Sequence, residues 1–151
     1  MAEIKVTLGC GARPRNGWIG LDIVEYGWNK VCDVTKDRFP FDDNTVDVVE
    51  MHNLIEHIER KHWRHMLNEC WRVLKPAGII EIITPDGKMD INYAMGDPTH
   101  VSFIVEGNRP YFEGRRPRNS SIGFKHWHVL EWAHSLSNEP RAFKIVMKPK
   151  K

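Results

Sequence analysis

The sequence lacks any run of about 18 consecutive apolar residues, so no segment of it reads as a membrane-spanning helix. It lacks a charge bias: 22 basic residues stand against 20 acidic ones, a formal net charge of +2. A balance that close does not force a nucleic-acid or membrane partner. Cysteine is scarce, with Cys10, Cys32 and Cys70 at no metal-ligand spacing. An odd, scattered set reads as reduced thiols, and with no apolar signal core in MAEIKVT the expectation is a cytoplasmic protein. Internal repeats, low-complexity tracts and a phosphate-cradling P-loop are also missing.

What is present is ordinary for a folded chain: 151 residues, 41% hydrophobic and 28% charged, enough for one domain around one core. Five short runs read as strands: Ile4 to Leu8, Trp18 to Ile23, Lys30 to Thr35, Thr45 to His52 and Gly78 to Asp86. They are apolar on both faces or nearly so, the pattern of a buried parallel sheet. Between the fourth and fifth, Trp63, Met66, Leu67, Cys70, Trp71 and Leu74 recur at helical spacing. The helix they mark is expected to stop at Pro76 and Gly78, which makes a strand–helix–strand unit. Residues 106–123, EGNRPYFEGRRPRNSSIG, have little periodicity and read as a long surface loop. After it, FKHWHVLEW and RAFKIVMK read as an antiparallel pair at the sheet edge. Lysines 148, 150 and 151 would discourage edge pairing there.

The stretch VTLGCGARP places Gly9 and Gly11 where the first strand should end. Glycine is placed where a side chain cannot go, so this is either a tight turn or a ligand lying on bare backbone. Asp22, Asp33 and Asp86 fall at or near other strand ends. In open parallel sheets ligands bind beyond those carboxyl ends. Bare backbone beside carboxylates that can accept from vicinal hydroxyls describes a nucleoside site. Solubilising residues or caps are the alternative reading of the acids. A dinucleotide is disfavoured, because a third glycine is absent and Asp22 comes too early. Only Ala12 to Gly17 separate the first two strands, fewer than the 10–12 residues or so of a normal parallel crossover. The first helix must therefore be reduced to a turn or a short coil.

These segments together resemble the class I, Rossmann-like S-adenosylmethionine-dependent methyltransferases, from about Ile4 to Asp86. VTLGCG is similar to the family's glycine motif, GWIGLDI to its second-strand segment, and CWRVLKPAGIIEIITPD to its helix and fifth strand. CDVTKDRFPFDDNTVDVVEMHNLIEHI carries the most specific likeness. The resemblance implies an α/β fold with a mostly parallel sheet flanked by helices, and S-adenosylmethionine as cofactor. Under it, Leu8, Gly9, Cys10 and Gly11 would lie against the methionine tail and ribose. Asp22 and Ile23 would hold the ribose hydroxyls, and Asp33 and Val34 the adenine. His52, Asn53 and Leu54 would floor the site near the methyl group.

Methyl transfer chiefly needs alignment, with a base only for an acceptor protonated at neutral pH. Asp86, Asp97, His100 and His57 are the candidates, with Asp86, Asp97 and His100 preferred. DPTHVSFI, residues 97–104, resembles a DPxH element of some small bacterial and phage members. No metal is expected: His57 and His62 are poorly spaced on a helix, and His126 with His128 is a weak pair that His100 could join. Arg109, Arg115, Arg116 and Arg118, interleaved with Tyr111 and Phe112, form either a solvated loop or a clamp for an anionic acceptor. Two rival readings stand beside an enzyme. One is a non-catalytic protein that keeps the fold; the other is a nucleic-acid-binding module using the arginine loop.

Overall fold

The computed structural model describes residues 2–116 and 119–151. Seven strands form one sheet: β1 (Lys5–Leu8), β2 (Trp18–Asp22), β3 (Asn29–Val31), β4 (Val46–His52), β5 (Leu74–Pro85), β6 (Trp127–His134) and β7 (Ala142–Pro149). Their order is β3-β2-β1-β4-β5-β7-β6. The first five run parallel, and β7 pairs antiparallel with both β5 and β6. The expected C-terminal hairpin is therefore present, but β7 is interior and only β6 forms the edge. Buried apolar side chains explain the placing: Ile145 and Met147 are 0% exposed and belong to the core cluster. A strand that apolar must be covered on both faces.

The main helix, α1 (Arg60–Val73), buries Trp63, Met66, Leu67, Cys70 and Val73. It ends earlier than Pro76 and Gly78 suggest, because Leu74 turns straight into β5. Pro76 and Gly78 lie inside a bulge, where the register jumps from Val46↔Leu74 to Val48↔Ile79. Gly78 is required there: a Cβ would sit 2.9 Å from the Asp47 carbonyl oxygen and 3.0 Å from that of Val46. No side chain escapes a contact with backbone that close.

Below α1, Arg72 ties the loop from Phe39 to Asp43 to the helix. Its guanidinium grips Glu69 at 2.7 and 2.9 Å and Asp43 at 2.8 Å, and donates to the carbonyls of Phe41 and Phe39 at 2.9 and 3.1 Å. Glu69 also accepts from Phe39 N at 2.8 Å. Lys151 adds hydrogen bonds to the Leu74 carbonyl and Asn44. That lysine satisfies carbonyls at the junction of α1 and β5 rather than guarding a sheet edge.

Two further expectations are corrected. The third strand stops at Val31, not Thr35, because the Asp33 carboxylate accepts from Thr35 N and Thr35 Oγ1 at 3.0 and 2.6 Å. That side-chain bond offers the backbone a turn instead of a ladder. Residues 106–123 are not a featureless loop. They hold a short 3-10 turn at Glu106–Asn108, α3 (Arg109–Phe112) and α4 (Asn119–Ile122). Phe112 is 1% exposed and packs 6.4 Å from Trp132, which fixes the segment. Arg109 and Arg115 both face Glu113, and Arg116 lies over Tyr111. Arg118 lies outside the described residues. Among the described residues no helix is long and apolar enough to cross a membrane. The short helix α2 (Ile91–Gly96), capped by the Asp90 side chain on Tyr93 N at 2.9 Å, follows β5.

Candidate functional site

The strand order reverses between β1 and β4: the chain runs outward to β2 and β3, then returns to β4 and β5. The carboxyl ends of β1 and β4 splay their loops apart at that point, and an open α/β sheet has its crevice there. Gly9 and Gly11 follow β1 with φ of 63° and 62°. Those left-handed values explain why a side chain is avoided at both. No helix separates β1 from β2; residues 9–17 form only turns, as the short spacing demands.

Asp22, at the end of β2, clasps this turn. Its Oδ2 accepts from Gly11 N and its Oδ1 from Val24 N, each at 3.0 Å. Trp28 supports the same turn by donating from Nε1 to the Gly11 carbonyl at 3.1 Å. The crevice beside it has a volume of about 180 Å³, lined by Gly9, Asp22, Ile23, Asp33, Val34 and Leu54 together with Cys32, Thr35 and Ile58. Gly9 and the acids at positions 22 and 33 thus share one cleft, which Cys10 and Gly11 do not line. Leu54 narrows it, since its Cδ1 lies 2.8 Å from where a Gly9 Cβ would stand. The Thr35 hydroxyl, with help from Lys36 at 3.2 Å, holds the Asp33 carboxyl below the usual carboxylate range. Burial and the Asp22 charge push the Cys10 thiol up, and burial among acids pushes Cys32 up to about 11. Neither thiol is poised as a nucleophile at neutral pH.

Two wider cavities continue along the rim past Asn53, a residue itself in left-handed geometry at φ 51°. One, about 650 Å³, is bounded by Asn53, Glu56, His57, Tyr93, Asp97 and His100. The other, about 500 Å³, is bounded by His52, Asn53, Tyr93, Glu139 and Arg141. His52 thus faces Glu139, at 3.5 Å, rather than the glycine crevice. Leu8 is fully buried and offers the crevice no side chain. Asp97 and His100 share the larger cavity, and their side chains approach to 3.8 Å.

Asp86 is elsewhere. It is 2% exposed, bonded to His134 Nδ1 at 2.8 Å and to Lys88 N at 3.0 Å, and lines none of these three cavities. The sequence suggests three acids at one rim; the structure brings together two. Thr35, Ile58 and Tyr93 are residues sequence reasoning missed. Thr35 alone carried a local signal, the Asp-x-Thr spacing of a side-chain-closed turn.

The sequence model of a family described as methyltransferase domain matches residues 16–82, which span β2 through most of β5. The chain is 32% identical over 91 residues to the tRNA N(3)-methylcytidine methyltransferase Mettl2 of Drosophila melanogaster, covering 50% of this chain and 28% of that protein. The chain thus spans under a third of that relative's length. Among solved structures, a SAM-dependent methyltransferase from Archaeoglobus fulgidus superposes with a TM-score of 0.67 at 16% identity, over 97% of this chain and 86% of that one. A TehB-like SAM-dependent methyltransferase from Corynebacterium glutamicum gives 0.66 at 14% identity, over 99% and 81%. At such identities the likeness lies in the fold.

Proposed function

We propose that the chain is a class I, Rossmann-like S-adenosylmethionine-dependent methyltransferase, which binds S-adenosylmethionine at the β1/β4 rim and transfers its methyl group to an acceptor held in the neighbouring cavities; the methyltransferase-domain match over residues 16–82 and the shared fold support this reading. The observation that carries this reading is the Asp22 clasp. Each Asp22 oxygen spends one lone pair on a backbone N–H, of Gly11 or Val24. A carboxylate oxygen has a second lone pair, so the pair can also accept from two vicinal ribose hydroxyls. The same contact orders the glycine turn against which the ribose and tail would lie. Ile23, Val34, Leu54 and Ile58 offer apolar surface to an adenine ring, and Asp33 an acceptor for its amine. Leu54 must turn aside, because the crevice at about 180 Å³ is small beside ordinary ligand pockets of roughly 300–1,000 Å³.

The tail would then run past Gly9 toward Asn53, which presents the methyl group to the two larger cavities. Transfer is an in-line displacement at a carbon activated by sulfonium, so holding the acceptor in line supplies most of the catalysis. The acceptor class we favour is a nucleic-acid base, on the likeness to a tRNA-modifying relative over 91 residues. Tyr93, 49% exposed beneath Arg141 at the cavity mouth, provides a ring on which a base can stack.

Tritium-labelled cofactor incubated with bulk tRNA, and separately with small nucleosides, tests the reading. Label is expected in the tRNA fraction. Tight cofactor binding with no labelled acceptor would favour the non-catalytic alternative instead.

A further inference from the structure

The wall of the larger cavity contains a cluster that methyl transfer does not require. Glu56, His57 and His100 each bring one ligand atom to within 4.8 Å of the others. We propose that these three side chains form a binding site for a first-row divalent cation such as Zn²⁺.

Glu56 is 1% exposed, an unusual place for an acid. Its Oε2 accepts from Thr84 Oγ1 at 2.9 Å, while the buried Oε1 has no hydrogen-bond partner among the described residues. A buried oxygen left without a donor calls for an explanation such as an ion. Glu56 also lines the cavity, beside both histidines.

His100 Nδ1 lies 2.7 Å from the Ala94 carbonyl, which can only accept, so Nδ1 holds the hydrogen and Nε2 the lone pair of the neutral ring. His57 Nδ1 lies 3.0 Å from Thr99 Oγ1 and 3.3 Å from the Thr99 carbonyl. The Thr99 hydroxyl already donates to Asp97 Oδ1 at 2.6 Å, so His57 Nδ1 is again the donor. Metal-binding imidazoles are fixed in this way, one ring N–H on a carbonyl or oxygen and the other nitrogen left for the ion. Asp97 Oδ2, 3.8 Å from His100 Nε2, is the nearest competing charge.

Val101 N and Ser102 N donate to the Glu56 carbonyl at 2.8 and 3.1 Å, and Ser102 Oγ reaches the carbonyls of Ile55 and Ile58 at 2.9 and 2.7 Å. These bonds hold the segment that carries His100 against the turn that carries Glu56 and His57. A cation with bonds of about 2.0–2.2 Å would draw the three atoms inward, the exposed His57 ring moving most. Two imidazoles with one carboxylate suit Zn²⁺, Fe²⁺ or Co²⁺, and leave a position open to a water or an acceptor atom in the cavity. The inference does not depend on the cofactor reading.

The test is titration of the chelator-treated full chain with Co²⁺ and Zn²⁺, followed by visible ligand-field bands and calorimetry. One equivalent is expected to bind. Glu56→Gln, which keeps the side-chain shape and the Thr84 contact, and His100→Ala should each weaken it by at least about 10- to 100-fold. His128→Ala, on β6, should leave it unchanged. Absence of binding, equal affinity in Glu56→Gln and His100→Ala, or loss of binding in His128→Ala would each overturn the proposal. Should the variants not fold, imidazole nitrogen spectra of the unaltered chain decide. Zn²⁺ must shift the Nε2 signals of two histidines, and unchanged signals refute the site.

Discussion

Asp22→Ala is expected to weaken S-adenosylmethionine binding by about 10- to 100-fold. Hydrogen bonds to a charged group in a partly dry site contribute about 1.5–3 kcal/mol, and the variant removes the acceptor of both ribose hydroxyls. It also frees Gly11 N and Val24 N, so the glycine turn loses its clasp. Calorimetry with the cofactor and its demethylated product checks this. Asp22→Asn should be nearly as weak as alanine, because its amide nitrogen would point at a backbone N–H. Affinity equal to that of the unaltered chain would remove Asp22 from the site.

Arg72→Ala should produce the largest loss of stability. Arg72 and Glu69 are each 14% exposed, and the guanidinium also holds Asp43 and two carbonyls of the loop above. Removing one partner of a mostly buried pair costs about 3–5 kcal/mol, since the other charge stays behind unpaired. Lysine cannot reproduce the forked grip and should recover only part. The pH dependence carries the same signature. Burial pushes the Glu69 carboxyl up, but Arg72 and Phe39 N outweigh it and leave it below its ordinary value. A carboxyl depressed in the folded state stabilises fully above its unfolded value of about 4.3, and that stabilisation is lost as pH falls through the folded value. The melting temperature should therefore drop below about pH 4.3 in the unaltered chain. In Arg72→Ala the burial remains without its compensation, so the carboxyl is no longer held below its ordinary value and the Glu69 share of the acid-side loss should shrink or disappear. Identical melting profiles of the two proteins from pH 3 to 7 would contradict this account.

The parts of the fold legible in the sequence were those set by local signals. The apolar runs of β1, β2 and β4 mark those strands to within about a residue. The short spacing between Gly9 and Trp18 correctly excludes a first helix. What failed depends on partners far away in the chain. Nothing local to residues 142–149 says that β7 will insert beside β5 instead of lying at the edge. The burial of Phe112 that orders residues 106–116 comes from Trp132, twenty positions on. Six of the nine residues lining the crevice were legible for the same reason: Gly9, Asp22 and Asp33 sit at or just past strand ends whose direction a parallel sheet fixes. Asp86 sits at a strand end too, but β5 is followed by α2, and its carboxylate turns to His134 of β6. The Glu56, His57 and His100 cluster was hidden because 43 positions and three elements separate His57 from His100. The bonds from Val101 N and Ser102 N to the Glu56 carbonyl, with those of Ser102 Oγ and Thr99, bring them together.

The central claim is that backbone after β1 and the acids after β2 and at the end of the third-strand segment surround one adenosyl group. The most direct measurement is backbone amide NMR of the isotope-labelled chain during titration with S-adenosylhomocysteine. The amides of Gly9, Gly11, Ile23, Val34, Thr35 and Leu54 should shift together along one saturating curve, with those of β6 and β7 still. Saturable shifts confined to other residues, or none at millimolar ligand, would contradict it.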